Sequence, residues 1–209
     1  MEPSSKILVI ACGALAKEIL AVRAINDWNH MAVQCLPANL HNRPDKIPGA
    51  VRDKIRANRA HFVSIFVAYG DCGTGGLLDA VLREEGVERI PGAHCYEFFA
   101  GGLQFDELVE REIGTFYLTD FLLKHFDRLI IAGLGIDKHP ELLPVYFGNY
   151  KKLVYLGQVA NEGALREGRE AAARLGLDFD YCLTGYGDLA TSLGQANKVY
   201  FERTILWQN

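Results

Sequence analysis

Val67-Ala68-Tyr69-Gly70-Asp71-Cys72-Gly73-Thr74-Gly75-Gly76-Leu77-Leu78-Asp79 decides the fold. An apolar run, Phe62 to Ala68, leads into it. A helical pattern leaves it, with Leu77, Leu78, Val81 and Leu82 on one side. Strand, glycine-bearing turn and helix is the unit from which parallel α/β sheets are assembled. Glycine lets the turn take positive φ and approach a ligand closely. Cys72 stands at the mouth of the turn, where free backbone N–H groups and a helix N-terminus are expected to favour thiolate over thiol. A similar unit opens the chain, in Ile7-Leu8-Val9-Ile10-Ala11-Cys12-Gly13-Ala14-Leu15. Whether Cys12 and Cys72 meet is therefore the first question for the structure.

The pattern extends outward in both directions. Strands are expected at Lys6 to Ala11, Met31 to Leu36, Phe62 to Ala68, Val87 to Ile90, Lys152 to Gly157 and Leu177 to Leu183. Helices are expected at Ala14 to Trp28, Pro48 to Ala60, Gly76 to Glu85, Leu103 to Glu112, Thr115 to Phe126, Glu141 to Phe147 and Glu162 to Leu175. Periodicity does not decide Leu129 to Ala132, and Val199 to Gln208 reads as a strand or extended tail. The alternation predicts an α/β fold, a mostly parallel Rossmann-like sheet with helices on both faces. Residues 1–209 read as a single α/β domain, with two small lobes as the other possibility.

The chain has 209 residues, is 49% hydrophobic and 23% charged, and carries a net charge of −4, so it has material for a core and no basic surface for nucleic acid. No apolar run reaches the length of a membrane span, and the N-terminus lacks a signal-peptide plan. A cytoplasmic protein with no nucleic-acid or membrane partner is expected. Five cysteines are an odd number, so buried thiols, metal ligands or a nucleophile are expected rather than a disulfide framework.

Cys12, Cys72 and Cys95 each lie in or beside a glycine-bearing turn. Three thiolates suit zinc or iron and leave a fourth position for His94, a carboxylate (Glu18 or Glu97), water or substrate. Zinc is the expected cofactor, with an iron–sulfur cluster as the alternative. The competing readings are small buried residues at strand ends, or a cysteine nucleophile. Cys35 and Cys182 fall within apolar strands and read as core. Gly13, Gly70, Gly73, Thr74, Gly75 and Gly76 are the candidate cofactor-binding positions, through backbone N–H groups. The turn matches neither of the two common glycine-rich nucleotide motifs. His94, Glu97 and His139 are the candidate acid–base groups. His41 and Arg43, on a long polar loop, suit an anionic small-molecule substrate. Asp137 reads as a helix cap and Asp120 as the wet face of a helix.

Several segments together resemble a known family: Ile10-Ala11-Cys12-Gly13-Ala14-Leu15, Tyr69-Gly70-Asp71-Cys72-Gly73-Thr74-Gly75-Gly76, His94-Cys95-Tyr96-Glu97, Gly114-Thr115-Phe116-Tyr117-Leu118-Thr119-Asp120-Phe121 and Tyr146-Phe147-Gly148-Asn149-Tyr150. The family is microbial and uncharacterised, and carries only a domain-of-unknown-function label. Its genes often sit beside corrinoid proteins and trimethylamine-methyltransferase-like proteins. The resemblance implies a role in methylated-compound or corrinoid-linked one-carbon metabolism, with a corrinoid protein or methyltransferase as partner. It implies no particular catalytic residue.

Overall fold

The fold is that of a computed structural model describing residues 4–206. In chain order the elements are β1 (Ser4–Cys12), α1 (Ala16–Ile25), β2 (Met31–Leu36), α2 (Ile47–Asn58), β3 (Phe62–Ala68), α3 (Leu77–Glu85), β4 (Glu88–Arg89), α4 (Cys95–Ala100), α5 (Gly102–Arg111), β5 (Thr115–Thr119), α6 (Asp120–Lys124), α7 (Leu143–Phe147), β6 (Lys152–Gly157), α8 (Glu162–Leu175), β7 (Asp178–Leu183) and α9 (Gly187–Leu206). The α/β class and the parallel strands follow the sequence reading. The strands form two sheets, and the chain divides into two compact units. One unit combines the residues up to Cys95 with those from Asp188 onward; the other is Tyr96–Gly187.

In the first unit the strand order is β2-β1-β3-β4, all parallel. Ile7, Leu8, Val9, Ile10 and Ala11 of the central β1 are fully buried. That is why β1 reads as an unbroken apolar run: a parallel strand covered on both faces has no wet side. The connection through α1 runs to one side of β1, and the connection through α2 runs back across it. Right-handed crossovers then place α1 on one face and α2 and α3 on the other. Leu8 and Ile10 pack with Ile47, Val51 and Ile55 of α2 and with Leu78 and Leu82 of α3.

Helix α9 belongs to this unit. The His30 ring stacks on Tyr200 at 5.1 Å, and its Nε2 lies 2.5 Å from Asn197 Oδ1. The expectation of a strand or extended tail from Val199 is corrected here, and Gln208 lies outside the described residues. Leu189, Leu193, Ala196 and Tyr200 are buried at three- and four-residue intervals, which a helix satisfies and a strand does not.

In the second unit β5-β6-β7 are parallel and in sequential order. Because both crossovers run in the same direction, their helices share one face. Leu122 and Leu123 of α6, Phe147 of α7, and Ala171, Ala172 and Leu175 of α8 form that core with Leu118, Leu153 and Tyr155. Tyr117, Val154 and Leu156 point to the other face, where Phe105 and Leu108 of α5 and Tyr96 of α4 pack. The single helix expected over Thr115 to Phe126 is a strand followed by a short helix. Thr115, Phe116, Tyr117 and Thr119 are β-branched or aromatic and suit a pleated surface. Thr119 closes the strand and caps α6, its Oγ1 accepting from the Leu122 N–H at 3.4 Å. Leu129 to Ala132, undecided by periodicity, is the end of a single π turn, Asp127–Ile131, with Ala132 as its C-cap.

Candidate functional site

Strand order reverses between β1 and β3, and in an open α/β sheet that reversal leaves a crevice beyond the carboxyl ends of the two strands. Cys12 is the last residue of β1. Tyr69, Gly70, Asp71 and Cys72 follow β3 directly. Cys12 and Cys72 are half-buried and pack on the same side of the sheet as Leu8 and Ile10. They are near enough that a charge on Cys12 opposes ionisation of Cys72. Two cysteines sixty positions apart in sequence are thus neighbours at the switch point.

The backbone around them is shaped for close approach. A Cβ on Gly13 would stand 2.9 Å from the Leu36 carbonyl oxygen and 3.2 Å from the Ala38 nitrogen, so only glycine lets β1 end against β2 in this way. The loop after β2 folds as two 3-10 turns, Ala38–Asn42 and Pro44–Lys46, and Leu40 packs on the core that holds Cys12 and Cys72. Cys72 itself has a φ of 51°, in the left-handed region that side chains other than glycine avoid. Strained non-glycine residues of this kind cluster at ligand sites.

The glycine turn spends its donors internally. The Asp71 carboxylate accepts from the N–H groups of Gly75 at 3.0 Å and Gly76 at 2.8 Å, and from Thr74 Oγ1 at 2.5 Å. The Cys72 N–H donates to the Ala93 carbonyl at 2.7 Å, and the Asp71 N–H to that of Gly92 at 3.1 Å. Burial works to raise the Asp71 pKa. The Thr74 hydroxyl, the Gly76 and Gly75 N–H groups and the Arg89 charge outweigh it and hold the carboxyl below its ordinary value. A carboxylate therefore sits against the glycine N–H groups that a bound phosphate would use.

The thiols are not activated. Burial raises the Cys12 pKa, against the lowering effects of the Ala14 N–H and the Tyr69 hydroxyl. Burial and then the neighbouring Cys12 push Cys72 up to about 11. The sequence expectation of a thiolate-favouring turn is corrected. Cys72 precedes α3 by five residues, and desolvation dominates over the helix terminus. Tyr69 is 2% exposed, and among the described residues its hydroxyl has no hydrogen-bond partner other than the Cys12 thiol it faces. Cys12 is the polar group beside it. A neutral thiol is a poor acceptor, whereas a Cys12 thiolate would take that O–H and satisfy a buried donor.

Other expected site residues are placed as follows. His41 lies near His94; burial first, then the His94 charge, lowers its pKa and keeps its imidazole neutral. His94 and Cys95 follow the Ala93 carbonyl that holds Cys72, and Cys95 opens α4. Glu97 is half-buried in α4, within the second unit. His139 is an exposed residue of that unit, with Nδ1 3.2 Å from Glu141 Oε1. Among the described residues, no group of three or more His, Cys, Asp or Glu side chains is gathered as a metal site. Cys35 is exposed on the edge strand β2 and is not core, whereas Cys182 is half-buried, packs against the Tyr117, Val154 and Leu156 core and accepts from Gln104 Nε2 at 3.3 Å. Asp137 is exposed and caps no helix: the 3-10 turn at Pro140–Leu142 has His139 as its N-cap, without a side-chain bond.

Asp120, read from the sequence as the wet face of a helix, is instead the first residue of α6, directly after β5, with its carboxylate turned to β6. Its Oδ1 accepts from the Tyr155 hydroxyl at 2.7 Å and the Gln158 N–H at 3.1 Å, while its own N–H donates to Gln158 Oε1 at 2.9 Å. This network joins the carboxyl ends of β5 and β6. Recognising Thr115–Thr119 as a strand would have placed Asp120 there.

Among the described residues no helix is long and apolar enough to cross a membrane. No curated protein and no solved structure matches the chain. Residues 35–193 match the family described as "Protein of unknown function (DUF1638)", a span that holds Cys72, Cys95, His94 and Asp120 and begins after Cys12. With that match covering most of its length, the chain belongs to the DUF1638 family.

Proposed function

We propose that this is a cytoplasmic, metal-dependent protein that acts on a small metabolite in methylated-compound or corrinoid-linked one-carbon metabolism. Cys12, Cys72 and Cys95 hold the metal, which is zinc. The observation that carries the reading is the pairing of Cys12 with Cys72 at the switch point of the first sheet, where α/β folds of this kind bind ligands. Two half-buried thiols in mutual range supply half of a tetrahedral zinc site. Cys95 lies two positions past the Ala93 carbonyl that anchors Cys72 and would be the third ligand once its thiol moved in to join the pair, since the three are not gathered in this structure. Buried thiols that stay protonated alone are deprotonated by a divalent cation, releasing their protons to solvent. The Tyr69 hydroxyl then donates to the Cys12 sulfur. Zinc with an open fourth position supplies a Lewis acid or a seat for a substrate thiolate. His94, beside Cys95 in sequence and in the same unit, is the group assigned to proton transfer, and the neutral His41 near it is available as an acceptor.

A second reading, a non-catalytic metal- or corrinoid-handling accessory of a methyltransferase system, is favoured by the Asp71 contacts. They occupy the N–H groups that would otherwise stabilise an anionic intermediate. Capture of the corrinoid protein without turnover of any metabolite would select it.

The test is elemental analysis of anaerobically purified protein beside Cys72→Ser. About one zinc per chain, lost in the variant, is expected. Iron with acid-labile sulfide would replace zinc by an iron–sulfur cluster. Absence of metal from both preparations would overturn the reading and leave the thiols as packing.

A further inference from the structure

A cavity of about 540 Å³ in the first unit lies away from the cysteines. It lies beside β4, between α3 and α9. Three guanidinium groups line it: Arg83 from α3, Arg89 from β4 and Arg203 from α9. Arg89 is committed, since it grips the Asp79 carboxylate at 2.6 and 3.0 Å and donates to the Ile90 and Gly92 carbonyls. Arg83 and Arg203 are exposed and make no ion pair among the described residues. They approach one volume from two helices that are far apart in sequence. Asp79 and Glu88 are the acids among the described lining residues; Arg89 pairs with Asp79, on which the Arg83 charge also acts.

Ile65 and Phe66 of β3 and Val199 of α9 add apolar surface to the lining. Strand β4 pairs with β3 at Phe66 and Val67 alone, so from Phe62 to Ile65 no described strand runs beside that edge of β3. A volume of this size is typical of small-molecule sites, which combine apolar walls with a few placed charges.

We propose that this cavity is a second ligand site, separate from the cysteine crevice, and that it binds an organic anion with an apolar body. Arg83 and Arg203 hold the anionic head as forked donors, and the Ile65, Phe66 and Val199 wall takes the hydrocarbon part. The site rests on none of the cysteines and stands or falls independently of the metal.

The test uses the full chain and 8-anilinonaphthalene-1-sulfonate, an aromatic anion that fluoresces when sheltered from water. Saturable binding is expected, displaced by 4-phenylbutyrate and not by 4-phenylbutylamine. The double variant Arg83→Ala/Arg203→Ala weakens the affinity roughly tenfold or more, the scale of a lost charge-assisted hydrogen bond. Arg166→Ala, an exposed arginine of the second unit, leaves it unchanged. Both cavity arginines are exposed, so their removal leaves the melting temperature in place. Unsaturable fluorescence, equal displacement by the amine, or an affinity indifferent to the double substitution would each overturn the proposal.

Discussion

Cys72 holds a φ of 51°, which glycine adopts freely and a residue with a Cβ adopts at a cost of about 1–2 kcal/mol. The thiol is thus kept where the backbone favours another residue. Cys72→Gly relieves the strain, while Cys72→Ser keeps it and places a hydroxyl among the apolar neighbours of the first core. We expect the glycine variant to be the more stable of the two by about 1 kcal/mol in urea melts, with zinc lost from both. Equal stabilities would mean that the left-handed conformation carries no strain. The meeting of Cys12 and Cys72 was legible in the sequence, because two strand-turn units of a parallel sheet end at the same edge. Their protonation state was not. Local sequence shows the glycines and the helix start, but burial is set by α2 and the loop at Ala38–Asn42, which arrive from elsewhere in the chain.

At the level of elements, β5 shows where pattern reading fails. Phe121, Leu122 and Leu123 continue the apolar run of Phe116 to Leu118, so a helical period can be drawn through both. The boundary is set by the Thr119 cap, a single hydroxyl. Beyond it Asp120 satisfies the Tyr155 hydroxyl and the Gln158 N–H. Asp120→Ala leaves a buried phenol and an amide without their acceptor and is expected to destabilise the protein by about 1–3 kcal/mol. Asp120→Asn retains an acceptor oxygen and loses less. Chemical denaturation of both variants gives the comparison, and an unchanged midpoint for Asp120→Ala would show the network to be dispensable. By contrast, β2, β3, β6 and α8 match the sequence reading closely. Each is bounded by glycine, proline or a polar residue, and each has an unambiguous period.

For the molecule as a whole, two small lobes were the alternative the sequence offered, but their boundaries were not legible, because no glycine- or proline-rich linker marks them and the first unit is discontinuous in sequence. Its response to pH follows from groups in that unit. Cys72 titrates at about 11 in the fold against 9.0 as an isolated thiol, and Cys12 is shifted in the same direction. As pH rises from 9 toward 11 the unfolded chain releases protons that the fold retains, so stability of the metal-free protein falls over that interval. His41 has the opposite sense: burial, then His94, lowers it from 6.5. As pH falls below that value the unfolded chain takes up a proton first, and stability falls again. Thermal melts across pH should show a plateau between these limits. A midpoint that keeps rising past pH 9 would contradict the buried thiols. Helix α9 has a further consequence, for biosynthesis. Its buried residues from Leu189 to Tyr200 complete a unit whose strands were made more than ninety residues earlier. During synthesis Tyr96–Gly187 emerges as one uninterrupted piece and can fold on the ribosome, whereas the nascent cysteine-bearing sheet must wait for α9, which follows that whole piece, to cover it.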